Sequence, residues 1–324
     1  MLTPHPGDRP AREVLGHGEA PGKVILLGEH SVVYGHPAIA AALSRGVRVS
    51  IESNDEGPTF RAPRWGVATV LADAPDVAPL GVALERVRRA VAPGLTRVAA
   101  VAEDRLPLGA GLGSSAALTV ATARAFAAAA GTTLTAERLT QVCHLAEQVF
   151  HGNPSGVDQA TVVHGGILRF QRPPGGTPDL RALKPPQPMT LVVALMRPHV
   201  GTKEAVEGLR ARRERHKRTF EALLHELGAL AQDGVALLEQ ADWAGLGERM
   251  DLAHGLLHAL GVSSDDLDQL VRLGRNHGAL GAKLTGAGIG GAVVMLTDGD
   301  LDHTRRLVLA LRAHGAQAFS TEVV

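Results

Sequence analysis

Hydrophobic and polar residues follow strand-like and helix-like periods in both halves of the chain. KVILL at 23–27 is an apolar run typical of a buried strand, and RVSIE at 48–52 alternates as a half-exposed strand does. Apolar residues between Leu139 and Phe150 recur at the period of an amphipathic helix. The second half continues this mixture, from the strand TLVVALM to a helix predicted over 301–313. The pattern predicts an α+β or α/β protein.

Stretches rich in Pro and Gly suggest where the chain divides. The N-terminal residues are rich in Pro, Gly and charge, which predicts a loose tail at 1–19. A second such stretch over 172–188 predicts a linker or long loop. Because a chain of 324 residues is long enough for two domains, we predict domains at 20–185 and 186–324.

Charge and cysteine content exclude several classes of partner. Lys+Arg and Asp+Glu both total 33, so the chain has no charge excess that would draw it to nucleic acid or a membrane surface. Cys143 is the single cysteine, and the N-terminal residues lack the apolar stretch of a secretory signal. These features predict a cytoplasmic protein whose anionic ligands are held locally.

The sharpest local signal is the glycine-rich loop PLGAGLGSSAA at 107–117. Its glycines allow a tight turn with inward N–H groups, and Ser114 and Ser115 stand where a helix is predicted to begin. Unpaired N–H groups at a helix N-terminus attract phosphate. The loop is therefore either an anion-binding turn or a plain glycine turn with a serine cap.

Two common nucleotide-binding fingerprints fail here. GKV at 22–24 lacks the Ser or Thr and the glycine spacing of a P-loop. Gly286, Gly288 and Gly291 match G-x-G-x-x-G, but a strand-like run follows them where the dinucleotide motif opens a helix. This segment is thus a tight glycine turn that either lines a site or closes a hairpin.

Two carboxylates and a lysine are candidates for phosphoryl-transfer chemistry. Glu147 borders the apolar stripe of its predicted helix, and Asp158 follows the turn PSG. Such chemistry needs a cation on the phosphates, a positive side chain and a group that orients or deprotonates the attacking hydroxyl. Taken singly, each carboxylate could be a cap or surface group, and Lys23 could extend its stem to solvent.

Three segments, in order, resemble the motifs of the GHMP family of small-molecule kinases, named for galactokinase, homoserine kinase, mevalonate kinase and phosphomevalonate kinase. They are APGKVILLGEHSVVYG at 20–35, PLGAGLGSSAA at 107–117 and KLTGAGIGG at 283–291. The resemblance implies an α+β, two-domain GHMP kinase fold. The N-terminal domain would be like domain 2 of ribosomal protein S5 and the C-terminal domain ferredoxin-like, with ATP and substrate between them.

The resemblance also implies roles for individual residues. Asp158 would take the proton from the substrate hydroxyl, and Lys23 would stabilise the developing alkoxide and the transferring phosphoryl group. Ser115 and Glu147 would hold Mg²⁺. The ATP phosphates would lie against Pro107, Leu108, Gly109, Ala110, Gly111, Leu112, Gly113, Ser114 and Ser115. Positions on the substrate side would be Glu29, His30, Thr202, Gly286, Ala287 and Gly288.

Within the family, GEHSVVYG, GLGSSAA and HGNPSGVD are most similar to the branch that phosphorylates the C5 hydroxyl of mevalonate. This implies ATP, Mg²⁺ and mevalonate as ligands, and 5-phosphomevalonate as a product on the mevalonate route to isoprenoids. The alternatives are a GHMP kinase for phosphomevalonate or a sugar, and a non-catalytic metabolite sensor, which would not need a base at Asp158. The oligomeric state, a homodimer included, is left open.

Overall fold

The computed structural model describes residues 12–107, 110–150, 155–196 and 202–324. Two predicted phosphate-loop residues, Leu108 and Gly109, lie outside the described residues, as does the first part of the predicted tail. The chain forms two compact units, each assembled from segments that are not consecutive in sequence. Within the described ranges, no helix is long and apolar enough to cross a lipid bilayer.

The first compact unit takes residues 12–20, 47–104 and 118–150. Its elements are β3 (Thr59–Ala62), β4 (Val67–Val70), α1 (Pro79–Val91), β5 (Val98–Asp104) and α3 (Ala136–Phe150), with parts of β1 (Val14–Leu27), β2 (Ala38–Ser53) and α2 (Ser114–Ala129). The strands pair in the order β4-β3-β5-β2, with β3 and β5 parallel. Helices α1 and α3 pack together and bury the side chains of Leu84, Val87 and Val142.

The second compact unit takes residues 21–46, 105–117 and 155–324 within the described ranges. It begins with the remaining parts of β1, β2 and α2. It continues with α4 (Val157–His164), β6 (Ile167–Gln171), β7 (Asp179–Leu183), β8 (Met189–Leu195), α5 (Thr202–Arg215), α6 (Lys217–Gln240), α7 (Trp243–Ala259), α8 (Asp265–Asn276), β9 (Gly281–Thr285), β10 (Ala292–Leu296), α9 (Leu301–Ala313) and β11 (Gln317–Val323).

Two sets of strands organise this second unit. The first half of β2 pairs with β6, and β6 pairs with β7. A separate four-stranded antiparallel sheet has the order β11-β8-β10-β9, which leaves β9 at an edge. Strand β10 is apolar and fully buried, as expected for a central strand that is covered on both faces. Helices α7, α8 and α9 contact this sheet.

The N-terminal boundary of the folded chain differs from the prediction of a loose tail at 1–19. Strand β1 begins at Val14 and pairs with β2, and the Ser53 N–H donates to the Glu13 carbonyl at 2.8 Å. The glycines in this segment let the strand approach α2, because a Cβ on Gly18 would lie 2.2 Å from the Ala121 carbonyl oxygen. The glycines that made this segment resemble a loose tail instead allow its backbone to pack closely against the backbone of α2.

The predicted linker over 172–188 contains strand β7, which pairs antiparallel with β6. Most of β7 is exposed, so its sequence carries little of the apolar signal of a buried strand. The compact units also group the chain differently from a division near residue 185, since both include segments of the N-terminal half. The domains 20–185 and 186–324 stay a prediction.

Candidate active site

Lys23 lies where strand β1 meets the glycine-rich loop. The Lys23 N–H donates to the Leu112 carbonyl oxygen at 2.9 Å, which ties the loop to the strand. Gly113 has φ +74°, and a Cβ there would lie 2.7 Å from the Lys23 Cγ. Because only glycine combines this backbone conformation with no side chain, the loop leaves room for the lysine stem.

The ammonium of Lys23 forms an ion pair with the Asp158 carboxylate, Nζ to Oδ1 at 2.8 Å. The lysine side chain is 3% exposed and the aspartate side chain 42% exposed. Asp158 is the second residue of α4, whose N-cap is Gly156 with φ +87°, and the helix N-terminus there favours a negative charge. The pair thus presents an accessible carboxylate beside a buried cation.

A second buried ion pair joins Lys283 of β9 to Glu29, with both side chains 0% exposed. The Lys283 Nζ also donates to the Leu284 carbonyl at 2.7 Å. Burial raises the pKa of Glu29 and lowers the pKa of Lys283, because desolvation penalises both charged forms. Lys23 also acts electrostatically on Glu29 and Lys283, so the two lysines and the glutamate form one charged cluster.

No role was predicted from the sequence for Lys283, although the lysine is the first residue of the motif KLTGAGIGG. A signal was available, because the lysine stands between the apolar residues Ala282 and Leu284 in the strand segment GAKLT. A charged residue at a fully buried strand position requires a partner. That partner is 254 residues away in sequence, so the pattern alone could not identify it.

His30 follows Glu29 in a strained conformation, with φ 60° and ψ −45°. Its ring is buried, and burial lowers the pKa of His30 to about 4, so the imidazole is neutral near pH 7. The ring is hydrogen-bonded to the backbone of Ala287, which brings the third motif to the first. Among the described residues, neither His30 Nε2 nor Glu29 Oε2 has a hydrogen-bond partner. Both buried atoms therefore have unused hydrogen-bonding capacity.

The third motif also contacts the second. A Cβ on Gly286, which has φ +80°, would lie 3.2 Å from the Gly111 carbonyl oxygen. One on Gly288, with φ +74°, would lie 2.0 Å from the Val262 carbonyl oxygen. Thr285 Oγ1 accepts from the Ile25 N–H at 2.8 Å. The structure therefore brings all three predicted motifs together within the second compact unit.

Ile289 interrupts this glycine run with φ 43°, a conformation that is costly for a β-branched residue. We expect Ile289→Gly to raise the free energy of unfolding by about 1 kcal/mol, because relief of strain exceeds the added entropy of the unfolded chain. Chemical denaturation measures this. Ile289→Ala is the control, since it removes the branched side chain and keeps a Cβ at positive φ; an equal gain from alanine would show that strain at φ is not the cause.

Some predicted site residues are not tested by the geometry. Thr202 is the first residue of α5, but the structure describes only its backbone. Ser115 is exposed in the first turn of α2 and belongs to the second compact unit, whereas Glu147 in α3 belongs to the first. The second compact unit also contains the predicted loop residues Pro107, Ala110 and Ser114. The shared role of Ser115 and Glu147 stays a prediction.

Gly113 and Gly111 offer a matched test of the contact with Lys23. Both have positive φ, at +74° and +71°, but a Cβ on Gly111 would meet only the Thr285 carbonyl oxygen at 3.6 Å. For the phosphoryl transfer that the motifs imply, we expect Gly113→Ala to lower kcat at least about 10-fold more than Gly111→Ala, because only the first displaces Lys23. Steady-state kinetics on the two purified variants measures the difference. Equal losses would show that backbone strain, and not the lysine, matters.

Comparisons with known proteins show which protein family the chain belongs to. The family model described as GHMP kinases N terminal domain matches residues 79–166, and the model described as GHMP kinases C terminal matches residues 235–317. The chain belongs to the GHMP kinase family. The predicted α+β, two-domain GHMP kinase fold is confirmed.

Within this family, the chain is similar to several individual proteins. The chain is 34% identical to the mevalonate kinase of Pyrococcus abyssi, with 94% of each chain covered, and 34% identical to that of Aeropyrum pernix, again with 94% of each covered. Among solved structures, it is similar to L. major mevalonate kinase in complex with R-mevalonate, at 25% identity and TM-score 0.78, covering 100% of this chain and 99% of that one. The mevalonate kinase from methicillin-resistant Staphylococcus aureus MRSA252 is 30% identical with TM-score 0.70, covering 95% of this chain and 98% of that one.

Proposed function

We propose that this protein transfers the γ-phosphoryl group of ATP to the C5 hydroxyl of mevalonate. The observation that carries the proposal is the Lys23–Asp158 pair at 2.8 Å, beside the glycine-rich loop. The full-length similarity to mevalonate kinases supports mevalonate over the other acceptors considered. The mevalonate route to isoprenoids follows from that activity.

Asp158 and Lys23 have different roles in the transfer step. The accessible Asp158 carboxylate accepts the proton of the C5 hydroxyl, and the hydroxyl oxygen forms a bond to the γ-phosphorus of ATP. The bond between the γ-phosphorus and the β–γ bridging oxygen breaks, and ADP leaves with the bonding electrons. The buried Lys23 ammonium stabilises the negative charge that develops on the attacking oxygen and the phosphoryl group. The products are 5-phosphomevalonate and ADP.

Glu29 and His30 fit the other polar groups of the substrate. Mevalonate carries a tertiary hydroxyl and a carboxylate in addition to the C5 hydroxyl. The Glu29 Oε2 can accept a hydrogen bond from a hydroxyl, and the Nε2 of the neutral His30 ring can accept another, because the other ring nitrogen is bonded to the Ala287 backbone. Because Lys283 compensates the Glu29 charge, the anionic substrate meets little net repulsion at this point. Thr202, Gly286, Ala287 and Gly288 are proposed to complete the substrate side.

The phosphates of ATP are assigned to the loop from Pro107 to Ser115, including Leu108 and Gly109. Ser115 and Glu147 would hold Mg²⁺, because a hydroxyl in the first turn of a helix and a carboxylate are the oxygen donors that this ion prefers. When bound, the ion would supply positive charge that offsets the negative charge of the ATP phosphates. Cytoplasmic localisation and the assembly state remain predictions.

A coupled ADP-release assay with Mg-ATP tests the proposal against mevalonate, phosphomevalonate, galactose and homoserine. We expect turnover on mevalonate alone. Turnover on another alcohol would retain the mechanism and reassign the substrate to another GHMP kinase reaction. Intact ATP binding without turnover on any of the four would favour the metabolite sensor.

A further inference from the structure

Strand β9 carries part of the active site although it is an edge strand. On one side it pairs with β10, from Gly281 opposite Leu296 to Thr285 opposite Ala292. It also carries Lys283, which contacts Glu29. An edge strand has a row of backbone groups that no neighbouring strand satisfies. The position of Lys283 therefore depends on what holds the open side of β9.

Helix α7 covers that open side at close range. A Cβ on Gly247 would lie 2.2 Å from the Leu280 carbonyl oxygen, and one on Gly281 would lie 2.2 Å from the Gly247 carbonyl oxygen. The facing glycines allow the helix backbone to touch the start of the strand. One turn further along α7, the Ala282 N–H donates to Asp251 Oδ1 at 2.8 Å.

His254, the next residue on this face of α7, accepts a hydrogen bond from the Leu284 N–H at 3.4 Å through Nδ1. Since Nδ1 is an acceptor, the ring proton lies on Nε2. That nitrogen is 3.2 Å from Asp268 Oδ1 in α8, which also accepts from Ser263 Oγ at 2.5 Å. Burial lowers the pKa of His254 to about 4, which keeps the ring neutral near pH 7. Asp268 thus selects the tautomer that can hold the strand.

The residues Gly247, Asp251 and His254 have the spacing of one helix face. They contact successive positions of β9, as a neighbouring strand would. Asp251 and His254 hold the two residues that flank Lys283, and the residue held by His254, Leu284, also accepts a hydrogen bond from the Lys283 Nζ through its carbonyl. A displacement of β9 at Leu284 would move the ammonium of Lys283 relative to Glu29.

We propose that His254 is a positioning residue for phosphoryl transfer: through the Leu284 amide it holds edge strand β9 so that Lys283 stays against Glu29. The inference rests on the proposed function. His254 touches neither substrate nor reacting atoms in this role, and it acts through the strand. A substituted side chain that places a hydrogen-bond acceptor at the position of Nδ1 should therefore retain the positioning role.

Three variants test this proposal. His254→Asn retains an acceptor bonded to Cγ, whereas His254→Leu has a similar volume and no acceptor. His258→Leu is the matched control, because His258 also contacts Asp268, at 2.9 Å, but is 65% exposed. The structure gives it no bond to β9. We expect kcat to fall about 10- to 100-fold in His254→Leu with KM for ATP little changed, and to stay within about 3-fold of wild type in the other two. Equal losses in His254→Asn and His254→Leu would overturn the proposal.

A second readout does not depend on turnover. Amide hydrogen exchange at Leu284 should accelerate in His254→Leu and remain slow in His254→Asn and His258→Leu. In wild type, ¹⁵N NMR of the His254 ring should show the neutral tautomer protonated at Nε2. If the wild type lacks mevalonate turnover, the proposed function fails. The exchange rate at Leu284 and the tautomer of His254 would still show whether His254 holds the Leu284 amide. Unchanged exchange in a folded His254→Leu protein would overturn the positioning role.

Discussion

Asp158→Asn is expected to lower kcat on mevalonate by about 10³-fold or more while ATP binding remains near the wild-type level. The amide keeps the size of the side chain but cannot accept the hydroxyl proton, and a positioned general base contributes about 10²- to 10⁴-fold. The substitution also removes the negative partner of Lys23, which changes the electrostatics at the reacting oxygen. Single-turnover kinetics separates the transfer step from binding and product release.

Asp179→Asn is the control for this substitution, since Asp179 pairs with Arg169 at 2.7 Å on the exposed strand β7. A surface pair of this kind contributes little to stability, so kcat should be unchanged. Nearly full turnover in the Asp158→Asn protein would eliminate Asp158 as the base. A loss confined to KM for ATP would instead assign Asp158 to nucleotide binding.

Glu29→Gln and Lys283→Met should each destabilise the protein by about 3–5 kcal/mol, because each leaves one charge buried without its partner. The double variant should recover most of that loss, since replacing both charges removes the desolvation cost together with the attraction. Urea denaturation of the four proteins gives the coupling energy of the pair. Single variants that unfold like wild type would contradict the pair as a buried ionic contact.

Activity should not recover with stability in that double variant. Glu29 supplies the free Oε2 at the proposed substrate site, and glutamine and methionine do not reproduce the charges felt by Lys23. We therefore expect a stable protein whose kcat/KM for mevalonate stays at least about 10-fold below wild type. Recovery of both quantities together would reduce the pair to a structural role.

Much of the fold was predictable from the sequence because its elements have strong local signals. The apolar run KVILL and the amphipathic stripe of α3 lie in a strand and a helix as predicted. The errors fall where composition conflicts with packing. Val14–Glu19 is strand because its glycines permit contact with α2, and β7 is an exposed strand within a Pro- and Gly-rich stretch.

The candidate site shows a similar division. Glycines at Gly111, Gly113, Gly286 and Gly288 have the positive φ values that only glycine adopts at low cost, so their motifs could be recognised residue by residue. Asp158 and Lys23 were chosen for the resemblance of their motifs, and the structure places them in contact. The chemistry assigned to them is still a proposal.

The sequence by itself determined the family, the glycine turns and the residue types available for catalysis, since these depend on local conformation and ordered motifs. Only the tertiary structure decided that Lys283 meets Glu29 across 254 positions and that His254 meets Leu284 across 30. The physical reason is that periodicity specifies which face of an element is buried but not which element covers it. Partners of buried charges are selected when the elements pack.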